Sequence, residues 1–136
     1  MILAMIGLDT NLLVRLVVGD DPQQTRQAKA FVDRYCTPES PGFINCVVLA
    51  ELVWVLNASY DYTRSQIAAA VESLMVGVDR MVEHPAAVQA SLDDYRAGRL
   101  DFTDALIAHV NKGTGCKATA TFDRTAAKLD GFIRVS

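Results

Sequence analysis

Ile2-Leu3-Ala4-Met5-Ile6-Gly7-Leu8 runs into Asp9-Thr10-Asn11, and that triplet into Leu12-Leu13-Val14-Arg15-Leu16-Val17. The first stretch is continuously apolar and too short for a core helix, so residues 2–8 read as a buried strand. Any one of Asp9, Thr10 and Asn11 can cap the apolar helix that follows. Gly19-Asp20-Asp21-Pro22 stops that helix and starts another, with Asp21 as cap and Pro22 at the first helical position.

The same alternation continues outward. Ala28, Phe31, Val32 and Tyr35 form the apolar stripe of the second helix, and residues 37–41 are a loop. Residues 42–45 read as a second strand leading into a helix. Thr63 and Gln66 fit a capping box for a helix over residues 64 to about 76. Residues 80–83 are a weaker strand candidate. Pro85 opens a helix that reaches Arg96 and closes at Gly98. Asp101-Phe102-Thr103-Asp104 begins another, running to Gly113, and strands follow over 117–121 and 131–135. Alternating strands and helices predict a parallel sheet covered on both faces, built as one domain over residues 1–136. In such sheets functional groups gather beyond the carboxyl ends of the strands.

Glu51 stands out in Val47-Val48-Leu49-Ala50-Glu51-Leu52-Val53-Trp54-Val55-Leu56, where every other side chain is apolar. Its helix face also carries Val47, Val48, Trp54, Val55 and Ala58, so the sequence predicts a carboxylate in apolar surroundings. Buried charges are paired or bound to metal, and no Lys or Arg lies one turn away. Asp9, Asp104 and Asp123 are further acids placed after strands or at a helix start. Acids with too few bases to balance them suit a divalent-cation site. Each also has a plainer reading: Asp9 as a cap, Asp101 and Asp104 as partners of the helix dipole, Asp123 as a loop residue.

The chain has 136 residues, 51 % apolar and 21 % charged, the composition of a globular protein with a real core. Its net charge of −3 gives no global signal for binding polyanions. Subtracting the four acids Asp9, Glu51, Asp104 and Asp123 turns −3 into +1, so the acidity is concentrated in the candidate site. Cys36, Cys46 and Cys116 show no CxxC spacing, and with only His84 and His109 beside them they argue against zinc and for reduced thiols. The N-terminal stretch does not read as a signal peptide, and no apolar run is long enough to span a bilayer. A cytoplasmic protein without membrane attachment is the expectation.

The ordered set Leu8-Asp9-Thr10-Asn11, Ala50-Glu51-Leu52, Asp101-Phe102-Thr103-Asp104-Ala105-Leu106-Ile107 and Thr121-Phe122-Asp123 resembles the PIN-domain nucleases. Within them it is most similar to the VapC-type toxins of bacterial toxin–antitoxin pairs, over nearly the whole chain. The resemblance implies a three-layer α/β/α sandwich with a central, mainly parallel sheet. It implies Mg²⁺ or Mn²⁺ held by the acids and endonucleolytic cleavage of RNA. By matching position, Asp9, Glu51 and Asp104 carry over as the metal-binding core and Asp123 as the fourth acid. Thr10 and Asn11 resemble the polar residues that orient the first Asp, and Thr121 is placed to do the same for Asp123. Asp101 stands as an accessory acid or a cap. The resemblance further implies a homodimer and a small cognate antitoxin protein that blocks the site. The first helices and Leu52-Val53-Trp54-Val55-Leu56 would supply apolar surface for a partner.

Arg15, near the proposed mouth, is placed either to contact phosphate or to pair with a nearby acid. His109 reads as a polar helix position, and Lys112 and Lys117 as solvent-facing. Two other functions are open. One is a PIN nuclease with an RNA-processing role rather than a toxin. The other, from a different class, is a receiver-like phosphotransfer domain or a phosphohydrolase, which also puts Asp after the first strand but leaves Glu51 unexplained.

Overall fold

The computed structural model describes residues 4–136, and its residues form two compact units, Met1–Glu83 and His84–Ser136. In the first, β1 (Ile6–Gly7) is followed by α1 (Thr10–Val18), α2 (Pro22–Tyr35), β2 (Gly42–Ile44), α3 (Cys46–Tyr60), α4 (Arg64–Met75) and β3 (Arg80–Val82). The strands lie in the order β1-β2-β3 and pair in parallel, with Ile6 opposite Gly42 and Gly42 opposite Arg80. Two helices separate each strand from the next, the crossover that parallel pairing requires.

Local chemistry sets the helix boundaries. The Asp21 carboxylate accepts the Gln24 N–H at 2.9 Å with Pro22 behind it, and Asn45 accepts the Val48 N–H at 2.8 Å. Thr63 and Gln66 bond each other's backbone N–H reciprocally, the capping box the sequence predicts. The core of this unit is fully buried Leu13, Ile44, Leu49, Leu52, Leu56, Ile67 and Val71. Each such side chain stabilises the fold by about 1.5–3 kcal/mol. Gly42, in the middle strand, lets the chain pack closely. A Cβ there would lie 2.8 Å from Leu8 Cδ1 and 2.9 Å from Cys36 Sγ.

The second unit holds α5 (Pro85–Arg96), α6 (Phe102–Thr114), β4 (Thr119–Thr121), a 3-10 turn (Ala126–Lys128) and β5 (Phe132–Arg134). Strands β4 and β5 pair in parallel. Helix α5 packs along α6 through buried Val88, Leu92, Phe102 and Ala105, with Tyr95 edge-on to Phe102 at 6.2 Å between ring centres. The α/β class expected from the sequence is therefore found, with parallel pairing in every strand pair among the described residues.

Two expectations need correction. The strand predicted over residues 2–8 spans only Ile6–Gly7, and both of these residues are exposed. Ile2 and Leu3 lie outside the described residues. β1 is hydrogen-bonded to β2 alone, an edge position, and only Leu8 just past it is buried. Helix α6 continues through Gly113 to Thr114 and ends where Gly115 takes a left-handed conformation (φ 106°). Gly113 thus lies inside the helix and Gly115 supplies the stop.

Candidate active site

In the first unit, two acids are drawn together by neighbouring strands. Asp9 stands two residues beyond β1 and caps α1, its carboxylate accepting the Thr10 N–H at 2.8 Å. Glu51 lies in the second turn of α3, which begins just after β2. Because β1 and β2 are adjacent and parallel, their carboxyl ends deliver both acids to one edge. The buried Thr10 hydroxyl donates to Glu51 Oε1 at 2.6 Å, so one residue touches both acids. Asn11 is exposed in the first turn of α1, next to this pair in sequence.

Glu51 itself differs from expectation: it is exposed rather than enclosed by apolar groups. Helix α3 is apolar around most of its circumference, so its sequence does not reveal which stripe faces the core. It buries Val48, Leu49, Leu52, Val53 and Leu56, and leaves Val47, Glu51, Trp54 and Ala58 open, with Val47 71 % and Trp54 68 % exposed. Of the surface expected from residues 52–56, Leu52, Val53 and Leu56 are core and Trp54 is the exposed apolar residue.

The sequence reading missed Glu83. It follows β3 at the same strand edge, and its Oε1 accepts the Cys46 N–H at 2.9 Å, fixing the first residue of the Glu51 helix. The Cys46 thiol donates to the Glu83 carbonyl at 3.5 Å, and burial together with the Glu83 charge pushes that thiol up to about 11. Its position just past a strand, close to that of Asp9 after β1, was the available signal. Arg15 takes the acid-pairing role: Nη1 meets Asp20 Oδ1 at 2.7 Å and Nε donates to Gln24 at 2.7 Å. A hydrogen bond from Tyr60, reinforced by the Arg15 charge, holds Asp20 below the usual carboxylate range.

The second unit carries the other acids. Asp101 occupies the N-cap of α6, but its side chain makes no capping bond. Asp104 sits in the first turn, and its carboxylate accepts no hydrogen bond among the described residues. Partial burial raises the Asp104 pKa, and the negative charges of Asp101 and then Asp123 raise it further. The helix start favours the ionised acid, yet burial, with like-charge crowding added to it, prevails. Asp123 follows β4. Its Oδ1 accepts the N–H groups of Thr125 and Ala126 at 2.8 and 3.0 Å, while its own N–H donates to Thr121 Oγ1 at 3.0 Å. Thr121 therefore anchors the backbone that presents Asp123.

The structure thus links Asp9, Thr10 and Glu51 by hydrogen bonds in one unit; in the other, Thr121 anchors Asp123, and Asp101 and Asp123 act on Asp104 through their charges. Among the described residues no three His, Cys, Asp or Glu side chains are gathered closely enough to form a metal-binding cluster. No described helix is long and apolar enough to cross a membrane.

Acids follow parallel strands in both units, and Asp104 has no base paired to it among the described residues. The model of the PIN domain matches residues 6–131, and the chain belongs to that family, whose members are generally nucleases. Among curated proteins none matches it.

Proposed function

We propose that the chain is a divalent-metal-dependent endoribonuclease, one PIN domain acting as the toxin of a toxin–antitoxin pair. The observation that carries the reading is Asp104: a partly buried carboxylate beside the charges of Asp101 and Asp123, with no cation paired to it among the described residues. Hard carboxylate oxygens in excess fit Mg²⁺ or Mn²⁺ and not a soft-ligand metal. In this reading Asp9, Glu51 and Asp104 hold the cation and Asp123 joins as the fourth acid. A bound Mg²⁺ or Mn²⁺ relieves carboxylate repulsion, activates water and stabilises charge developing on the phosphate.

The remaining chemistry belongs to the chain. Thr10 fixes the rotamer of Glu51 through its hydroxyl and holds Asp9 through its N–H. Glu83 and Asn45 pin the start of α3, setting the height at which Glu51 projects. The turn after Asp123 holds its carboxylate through Oδ1, which accepts two N–H groups. Attack by water would leave a 5′-phosphate and a 3′-hydroxyl.

The toxin assignment is supported by the family pattern and by Val47 and Trp54 exposed on α3, an apolar surface for a twin subunit or antitoxin. An excess of carboxylates would also attract a Lys or Arg side chain from such an inhibitor. A cytoplasmic site of action follows from an RNA substrate.

The test is a manganese titration of purified protein with a panel of structured RNAs, wild type beside Asp9→Asn. Cleavage should require the metal and disappear in the variant while the circular dichroism spectrum is unchanged. Equal cleavage by both proteins, or cleavage in excess chelator, overturns the reading. Co-purification with a small protein encoded beside it separates a toxin from an RNA-processing nuclease.

A further inference from the structure

Away from the acids, the second unit encloses a cavity of about 550 Å³. Its walls come from α5 and α6 on one side and from β4 and the approach to β5 on the other. Lys112 and Asp104 both lie on α6, eight residues apart, or about 12 Å along the helix axis. The cavity is lined by the later turns of that helix, from Ala108 to Lys112, and by none of the acids assigned above.

Its lining is basic in an acidic protein. Arg99, Lys112 and Lys117 contribute three positive charges against two negative ones from Asp94 and Asp130, a balance of +1 where the chain carries −3. Asp94 is already engaged, Oδ1 with Arg99 Nη1 at 3.2 Å and Oδ2 with His109 Nε2 at 2.7 Å. That bond fixes the His109 ring and leaves Nδ1 as the nitrogen without a bonded partner. Lys112 and Lys117 form no ion pair among the described residues. The stretch leading into β5 adds an apolar patch, Leu129 and Phe132, on either side of Asp130 and the left-handed Gly131 (φ 91°).

We propose that this cavity binds a nucleoside monophosphate, its base against Phe132 and Leu129 and its phosphate between Lys112 and Lys117. An enclosure of a few hundred Å³ with one apolar patch and a few convergent charges has the dimensions and chemistry of a small-ligand site. Inorganic phosphate alone would leave the apolar patch uncovered, whereas a base has a flat face to stack there. The inference is independent of the nuclease reading, since it uses none of the same side chains.

Isothermal titration of the full chain in chelator, with adenosine 5′-monophosphate, adenosine and inorganic phosphate as probes, tests it. The monophosphate should bind saturably, and adenosine and phosphate at least tenfold more weakly. Lys112→Ala with Lys117→Ala should weaken monophosphate binding at least tenfold, Phe132→Leu severalfold, and Asp104→Asn not at all. Thermal melts of each variant confirm folding. Absence of saturable binding, equal binding of phosphate alone, indifference to the double lysine change, or loss in Asp104→Asn overturns the proposal. So does a short oligoribonucleotide that outcompetes the monophosphate at these lysines. RNA cleavage by the wild-type protein with manganese restored separates the outcomes: cleavage intact with monophosphate binding absent removes this inference and leaves the nuclease standing.

Discussion

The carboxylates of the first unit are supplied with hydrogen-bond donors by the protein, and those at the start of α6 are not. Asp9 accepts a backbone N–H and Glu51 accepts a hydroxyl, both from Thr10. At the start of α6, Asp101 caps without its side chain and Asp104 has only like charges for company. The difference teaches what each group contributes. The first is preorganised, its geometry held whether or not a cation is present; the second stores repulsion that a cation would release.

Thr10→Val tests the first half most severely, because it keeps the shape and the N–H to Asp9 while deleting the bond to Glu51. Metal affinity or RNA cleavage should fall about 10- to 100-fold, as for other residues that orient a metal ligand. Wild-type activity would mean that Glu51 needs no such positioning. The cysteines extend the contrast to solvent access. Cys116 of the second unit is exposed, while burial lifts the Cys36 thiol and, with Glu83, sends Cys46 to about 11. With its thiol pushed up and half-buried, Cys46 should be labelled at pH 8 at least about tenfold more slowly than the exposed Cys116. Mass-resolved labelling of the native protein reads this directly.

Helix starts separate the units on a finer scale. Thr63→Ala breaks the capping box of α4 and should cost about 1 kcal/mol in urea unfolding. Asp101→Ala should cost clearly less, since no side-chain bond is lost. The smallest effect is electrostatic. The folded-state pKa of Asp104 is raised, so the folded protein holds that proton more tightly than the unfolded chain. Stability therefore declines as pH rises from the unfolded value of about 3.9 through the folded one. In chelator at neutral pH, Asp104→Asn should melt slightly higher than wild type, and the gain should vanish below about pH 3.9. A variant that melts lower at neutral pH would contradict the crowding.

Much of this was legible in the residues because the signals were local. Asp21-Pro22, Thr63 with Gln66, and Pro85 each mark a helix start that depends only on nearby backbone. The placement of Asp9, Asp104 and Asp123 was readable too, as each follows a strand or opens a helix. The surroundings of Glu51 were not, since an apolar helix does not declare which of its faces the core will cover. Nor was the Asp94–His109 bond, made between two helices across fifteen positions, where His109 alone reads as an ordinary polar residue. The 3-10 turn after Asp123 has no periodicity to betray it; it forms because that carboxylate collects two N–H groups.

Gly42 lies far from Asp9 in sequence but leans on its immediate neighbour. The space that a methyl group would claim at position 42 is already held by the Leu8 side chain and the Cys36 sulfur. Alanine there would have to shoulder Leu8 aside, and the peptide that carries Asp9 would travel with it. The bareness of one strand residue thus sets the address of an acid thirty-three positions earlier, and a change that adds no charge and removes no acid would still be felt at that carboxylate.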